Sequence, residues 1–189
     1  MEKMPENPYA SKGGYTKLKE GKTQVRMFDF VEGWEYWIDK DGNIVPRSAK
    51  AGEGGKPIRI KLNELEDQKP ETRKEAKYFR AYKVWNYDAE AVQVLQLTQR
   101  SIIEPLITLS YDEDWGKVEK GEYDIVISRT GEGLETEYQV TPKPKKDFDW
   151  SGKENTTVNL EALFAGENPF TTEGTDQGLV ADLLNQTGL

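Results

Sequence analysis

The sequence predicts a mainly β protein: a five-stranded barrel with one helix between its third and fourth strands, and flexible tails. Three observations predict it. Short runs with period-two or aromatic-rich patterning recur between turn residues. Only one internal stretch, from Gln99 to Leu109, has helical spacing of its apolar residues. The two ends read as a flexible arm over 1–14 and an acidic tail over 147–189.

The elements follow in order. Residues 1–14 read as a flexible arm ending in Gly13-Gly14. From Lys22 the pattern becomes strand-like, with Val25, Met27 and Phe28 and then Trp34, Tyr36, Trp37 and Ile38. Asp41-Gly42 marks a hairpin turn toward Ile44-Val45. Residues 48–57 form a small Gly-rich loop, and Ile58 to Leu62 alternates as a short strand. Residues 63–77 are highly charged and carry Pro70, which fits a loop or a short solvated helix. Tyr78 to Tyr87 is a long aromatic strand, 88–90 its turn and Ala91 to Leu97 the returning strand. Thr98 caps a helix that carries Ile102, Ile103, Leu106, Ile107 and Leu109; Pro105 is tolerable only in its first turn. Tyr123 to Arg129 and Thr136 to Thr141 are the last strands, with Gly131-Glu132-Gly133 turning between them. This order, a helix between the third and fourth barrel strands, is that of the OB-fold. The domain runs over 15–146, and 147–189 is an acidic tail. In the tail, Leu160, Leu163 and Phe164 share one helical face, and Leu179, Val180, Leu183 and Leu184 share another. These are docking segments, or they fold back onto the body, or they are weak local helix without a partner.

Composition narrows the chemistry. The chain has 189 residues, no Cys and no His. A zinc site built from carboxylates alone is rare, so no metal or cofactor is expected. Ser-His and Cys-His catalysis is excluded, and the expectation is a protein that is not an enzyme. No stretch approaches the roughly 20 apolar residues of a membrane helix, and the N-terminus does not read as a signal peptide. The net charge of −8 is unusual for a nucleic-acid binder, but it is unevenly spread. Residues 147–189 hold eight acids against the single base Lys153, whereas 1–146 hold 26 acids against 25 bases.

Aromatic residues make up 11% of the chain, and many interleave with cations. That pattern suits single-stranded nucleic acid, because bases of any identity stack on flat rings while Lys and Arg follow the phosphates. Trp34, Tyr36, Trp37, Tyr78, Tyr82 and Trp85 are the candidates for stacking. Arg47, Arg59, Arg80, Lys83, Arg100 and Lys143 are the candidates for phosphate contact. Strand alternation places Tyr78, Arg80, Tyr82 and Val84 on one face and Phe79, Ala81, Lys83, Trp85 and Tyr87 on the other. Both faces hold rings and cations, so alternation alone leaves open which one meets a ligand and which is core. The Gly-rich stretches at 52–55 and 131–133 lack the Lys-Ser/Thr ending of a phosphate loop. Asp112-Glu113-Asp114 reads as a helix-terminating loop.

From about Leu18 to Lys145 the chain resembles phage single-stranded DNA-binding proteins related to the helix-destabilising protein of T-even phages. The matching pieces are EGKTQVRM (20–27), EGWEYW (32–37), KYFRAYKVWNYD (77–88), VLQLTQRSI (94–102), DEDWG (112–116) and YDIVISRTGEGLETEYQVTP (123–142). The resemblance implies an OB-fold that coats single strands in phage DNA replication, recombination and repair, in the cytoplasm of the infected bacterial host. It also implies an acidic tail that recruits replisome or recombination proteins and competes with DNA for the groove. The chain departs from the family pattern in lacking the His and Cys ligands of a zinc subdomain, in showing no basic cooperativity motif within 1–14, and in ending on Gly188-Leu189. Two rival readings stand beside this one. The first is an OB-fold protein-interaction or assembly module without DNA binding, which the apolar tail faces favour. The second is a metal-dependent nuclease, which requires carboxylates to cluster in space.

Overall fold

The computed structural model describes residues 14–46, 52–151, 153 and 158–170. The protein is mainly β, as expected. Seven strands form one antiparallel sheet: β1 Gly21–Ile38, β2 Ile44–Val45, β3 Lys56–Lys61, β4 Lys77–Asn86, β5 Ala91–Leu97, β6 Asp124–Thr130 and β7 Glu137–Pro142. Helix α1, Pro70–Glu75, starts on Pro70 in the solvated charged stretch, and α2, Arg100–Tyr111, follows β5.

The continuous path through the sheet is β5-β4-β1-β6-β7, and β2 and β3 also pair with β1. Among the five strands of that path, α2 falls between the third and fourth in sequence. The sheet is nevertheless not closed into a barrel, which corrects the expected architecture. Closure requires β5 to pair with β7. At Val94 the outer edge of β5 is already taken: Thr16 N–H donates to Val94 O at 2.8 Å, and Val94 N–H donates to Gly14 O at 3.0 Å. A strand edge bonded to one segment has no backbone groups left there for another. The sheet also has seven strands rather than five, because β2 and β3 each pair with the far half of β1, on its opposite edges. The turn from β1 into β2 is the one expected at Asp41-Gly42, with Asp39 Oδ1 accepting from the N–H groups of Asp41 and Asn43 at 2.9 Å each.

β1 organises everything else. Its 18 residues span about 60 Å. One edge pairs with β4 and then β2; the other pairs with β6 over Gly21–Arg26 and with β3 over Gly33–Ile38. A bulge at Phe28 interrupts the β4 register between Met27 and Asp29. Before it, Val25 and Met27 face α2; after it, Phe30, Glu32, Trp34 and Tyr36 take over that face. An extra residue resets a period-two pattern in this way.

Two cores lie on the two faces. On the first, Val25, Met27, Tyr82, Val84, Leu95, Leu97, Ile125 and Ile127 pack with Ile102, Ile103 and Leu106 of α2. Pro105 sits in the second turn of α2 rather than the first, where it leaves the Ser101 carbonyl without its helical donor. On the second face, Phe79, Ala81 and Val94 pack against Leu160 and Leu163 from the C-terminal segment. The first apolar tail face therefore folds back onto the body. Its 3-10 turn, Leu160–Ala165, begins where Asn159 Oδ1 accepts from Glu161 N–H and ends at Gly166 in the left-handed region. Gly33 makes this docking fit: a Cβ there would sit 2.2 Å from Ile60 O and 2.9 Å from Phe164 Cε1. The arm over 1–13 and the apolar face at 179–184 lie outside the described residues.

Candidate nucleic-acid interface

Register brings four of the expected site residues together with Phe30. Trp34 lies opposite Tyr78, Glu32 opposite Arg80 and Phe30 opposite Tyr82, so that all six share the α2 face with Tyr36. Phe30 and Tyr78 pack at the margin of the core that contains α2, and Phe30, Glu32, Trp34, Tyr36, Tyr78 and Arg80 are all half-buried. The Arg80 guanidinium lies 4.7 Å from the Phe30 ring centroid, and Phe30 stacks on Tyr82 at 5.4 Å. Trp34 meets Tyr78 edge to face at 5.8 Å.

The cluster is held by hydrogen bonds. Tyr78 OH donates to Glu32 Oε2 at 2.5 Å, and Arg80 donates to Tyr78 OH at 2.8 Å, to Tyr82 OH at 2.9 Å and to Glu32 at 3.2 Å. Burial, with the Glu32 carboxylate beside it, pushes the Tyr78 phenol up to about 12. Burial works against the Arg80 charge, but the two phenolic oxygens more than offset it and hold its pKa above the ordinary arginine value. Arg80 is thus a fixed cation stacked on a ring. Trp34 Nε1 is buried and has no hydrogen-bond partner among the described residues. An unmet buried donor of this kind costs about 1–3 kcal/mol.

The remaining expected residues are elsewhere. Tyr82 is 1% exposed and belongs to the core, so its ring is not a stacking surface. Trp37, Arg59, Lys83 and Trp85 point to the opposite face, where alternation and the bulge put them. There Trp37 is 41% exposed, and Arg59 is bound to Glu35 at 3.0 Å and Gln96 at 2.8 Å. Trp85 lies under Lys153 Nζ at 4.7 Å, and Lys83 Nζ is 5.4 Å from the Phe28 ring. Arg100 projects from the start of α2, exposed, beside Glu104. Lys143 is exposed after β7, and Arg47 lies outside the described residues. Asp112 ends α2 and accepts from Asp114 N–H at 2.8 Å, as a terminating loop does.

Sequence reasoning missed Phe28 and Phe30, because a bulge has no signature in residue type. It also missed Phe148 and Trp150, which follow the last strand yet pack on the second face. Phe28 meets Trp150 at 5.1 Å, Phe148 meets Trp150 at 4.6 Å, and the Arg26 guanidinium lies 4.9 Å from Phe148. Arg26 is itself 1% exposed and forms a 2.5 Å ion pair with Asp124, directly across from it on β6. No helix among the described residues is long and apolar enough to cross a membrane. No protein-family model, no curated protein and no solved structure matches this chain.

Proposed function

We propose that this protein binds single-stranded DNA without sequence preference and performs no catalysis. The observation that carries the reading is the half-buried cluster of Phe30, Trp34, Tyr36, Tyr78 and Arg80 on one face of β1 and β4. Flat rings beside a fixed guanidinium suit bases of any identity and the phosphates between them. In this reading the sheet is an OB-fold left open between its third and fifth path strands, with β2 and β3 inserted after the first. Coating of strands in phage DNA replication, recombination and repair, recruitment of replication proteins by the acidic tail, and residence in the host cytoplasm belong to the same proposal.

Titration of the full chain with poly(dT), followed by Trp emission, tests it. The reading requires quenching at low salt and an affinity that falls steeply as salt rises. Replacing Trp34 or Tyr78 by Ala weakens binding by about 1–3 kcal/mol per lost stack. Absence of any emission change or mobility shift at low salt overturns the reading. Glu32 favours a second one, since its carboxylate offsets the Arg80 charge at the centre of the surface. A protein-interaction module of that kind binds a partner with little salt dependence and leaves poly(dT) free.

A further inference from the structure

A second basic, ring-walled feature lies on the other side of the sheet. After β7 the chain runs back past the turn that precedes β6, and the two segments border an open pocket of about 570 Å³. That volume falls within the range of small-ligand sites, roughly 300–1,000 Å³. Arg26 lines it from β1, and Phe148 and Trp150 supply its aromatic walls. Trp150 is held close: a Cβ on Gly121 would lie 2.9 Å from its ring.

The charges around this pocket are unbalanced. Lys120, Lys145 and Lys146 line it together with Glu122 and Asp147. Lys145 is spent on Glu122 at 3.6 Å, and Arg26 on Asp124. Among the described residues Lys120 and Lys146 make no ion pair. Arg26 adds a second unmet demand, since its Nη2 is buried without a hydrogen-bond partner. Asp147 offsets one of the two unpaired ammonium groups, so the lining keeps a net positive charge beside two rings, in a chain of net charge −8, a local attraction for an anion that carries a flat group.

We propose that this pocket binds a nucleotide through its phosphate monoester, with Lys120 and Lys146 on the phosphate and the base against Phe148 and Trp150. The site is separate from the Tyr78–Arg80 surface and does not depend on the strand-binding reading. The phosphate belongs either to a free nucleotide or to the 5′ end of a strand; the chemistry recognised is the same.

The full chain is titrated at low salt with inorganic phosphate and with dAMP, following heat and Trp emission. Submillimolar dAMP binding is expected, with phosphate competing. The Lys120→Gln/Lys146→Gln variant, which removes only exposed charge, weakens dAMP at least about tenfold and leaves poly(dT) binding in place. Trp150→Phe keeps dAMP binding but loses most of the emission change. Preference for a 5′-phosphorylated oligo(dT) over its 5′-hydroxyl form identifies a strand end, and dAMP binding without that preference identifies a free nucleotide. No dAMP binding at millimolar concentration, or binding unchanged in the double lysine variant, overturns the proposal.

Discussion

Replacing Asp124 by Ala is expected to be among the most damaging single changes in this chain. Asp124 accepts from Arg26 Nε at 2.5 Å, from Gln24 Nε2 at 2.9 Å and from Tyr87 OH at 2.9 Å. Both ionic partners are nearly sealed from water, at 1% and 3% side-chain exposure. Removing the carboxylate leaves the guanidinium with only the carbonyls of Gly121 and Lys146 as acceptors. Stranding one member of a buried pair costs about 3–5 kcal/mol. For a chain of this length each kcal/mol lowers Tm by about 2–4 °C, so a fall of about 6–20 °C is expected. Removing both charges together, as Arg26→Met/Asp124→Leu, has a different outcome, because no charge is left desolvated and the double variant recovers most of the loss. Urea unfolding of the wild type, both singles and the double measures the coupling directly. A double variant as unstable as Asp124→Ala would refute the argument that stranded charge, rather than lost packing, sets the cost.

Gly33→Ala forces β1 away from β3 against the Ile60 carbonyl, at an expected cost of about 2–3 kcal/mol by thermal unfolding; a loss below about 0.5 kcal/mol would show that the strands separate freely. Alkaline titration gives a third test. Burial pushes the phenols of Tyr78, Tyr87 and Tyr123 up to about 12, above the unfolded value of 10.0. Between those values the unfolded chain releases protons that the folded chain keeps, so stability is full below about pH 10 and declines as pH rises toward 12. A urea midpoint that stays constant over that window counts against this. Truncation separates the two parts of the tail: removing 171–189 leaves the melting temperature within about 2 °C, whereas removing 147–189 uncovers Phe79, Ala81 and Val94 and lowers it by at least about 10 °C.

Much of the fold was legible because it rests on local chemistry. Asp41-Gly42, the Tyr78–Tyr87 alternation and the apolar spacing of α2 announce themselves within a dozen residues. The parts that stayed hidden depend on residues far apart. Arg26 and Asp124 are 98 residues apart, and neither type predicts burial. The open sheet follows from Gly14 and Thr16 bonding to Val94, a backbone event with no side-chain cue. At the candidate interface, residue types identified Trp34, Tyr36, Tyr78 and Arg80, but only the bulge at Phe28 decides that they share a face and that Phe30 joins them. Tyr82 has the same composition cue as Tyr78, yet Tyr82 is sealed in the core and Tyr78 only packs partly buried against it.

The long first strand also sets a timetable. Gly21 pairs with Arg129, so β1 leaves the ribosome more than a hundred residues before β6 exists to receive it. At about 5–20 residues per second that is a wait of roughly 5–20 s. Strand β3 shortens the exposure for one half of β1, since it is complete by Lys61 and covers Gly33–Ile38 early. The other half, Gly21–Arg26, has no such early partner on the β6 edge, and its charged residues Lys22 and Arg26 must discourage pairing with neighbouring chains until synthesis catches up.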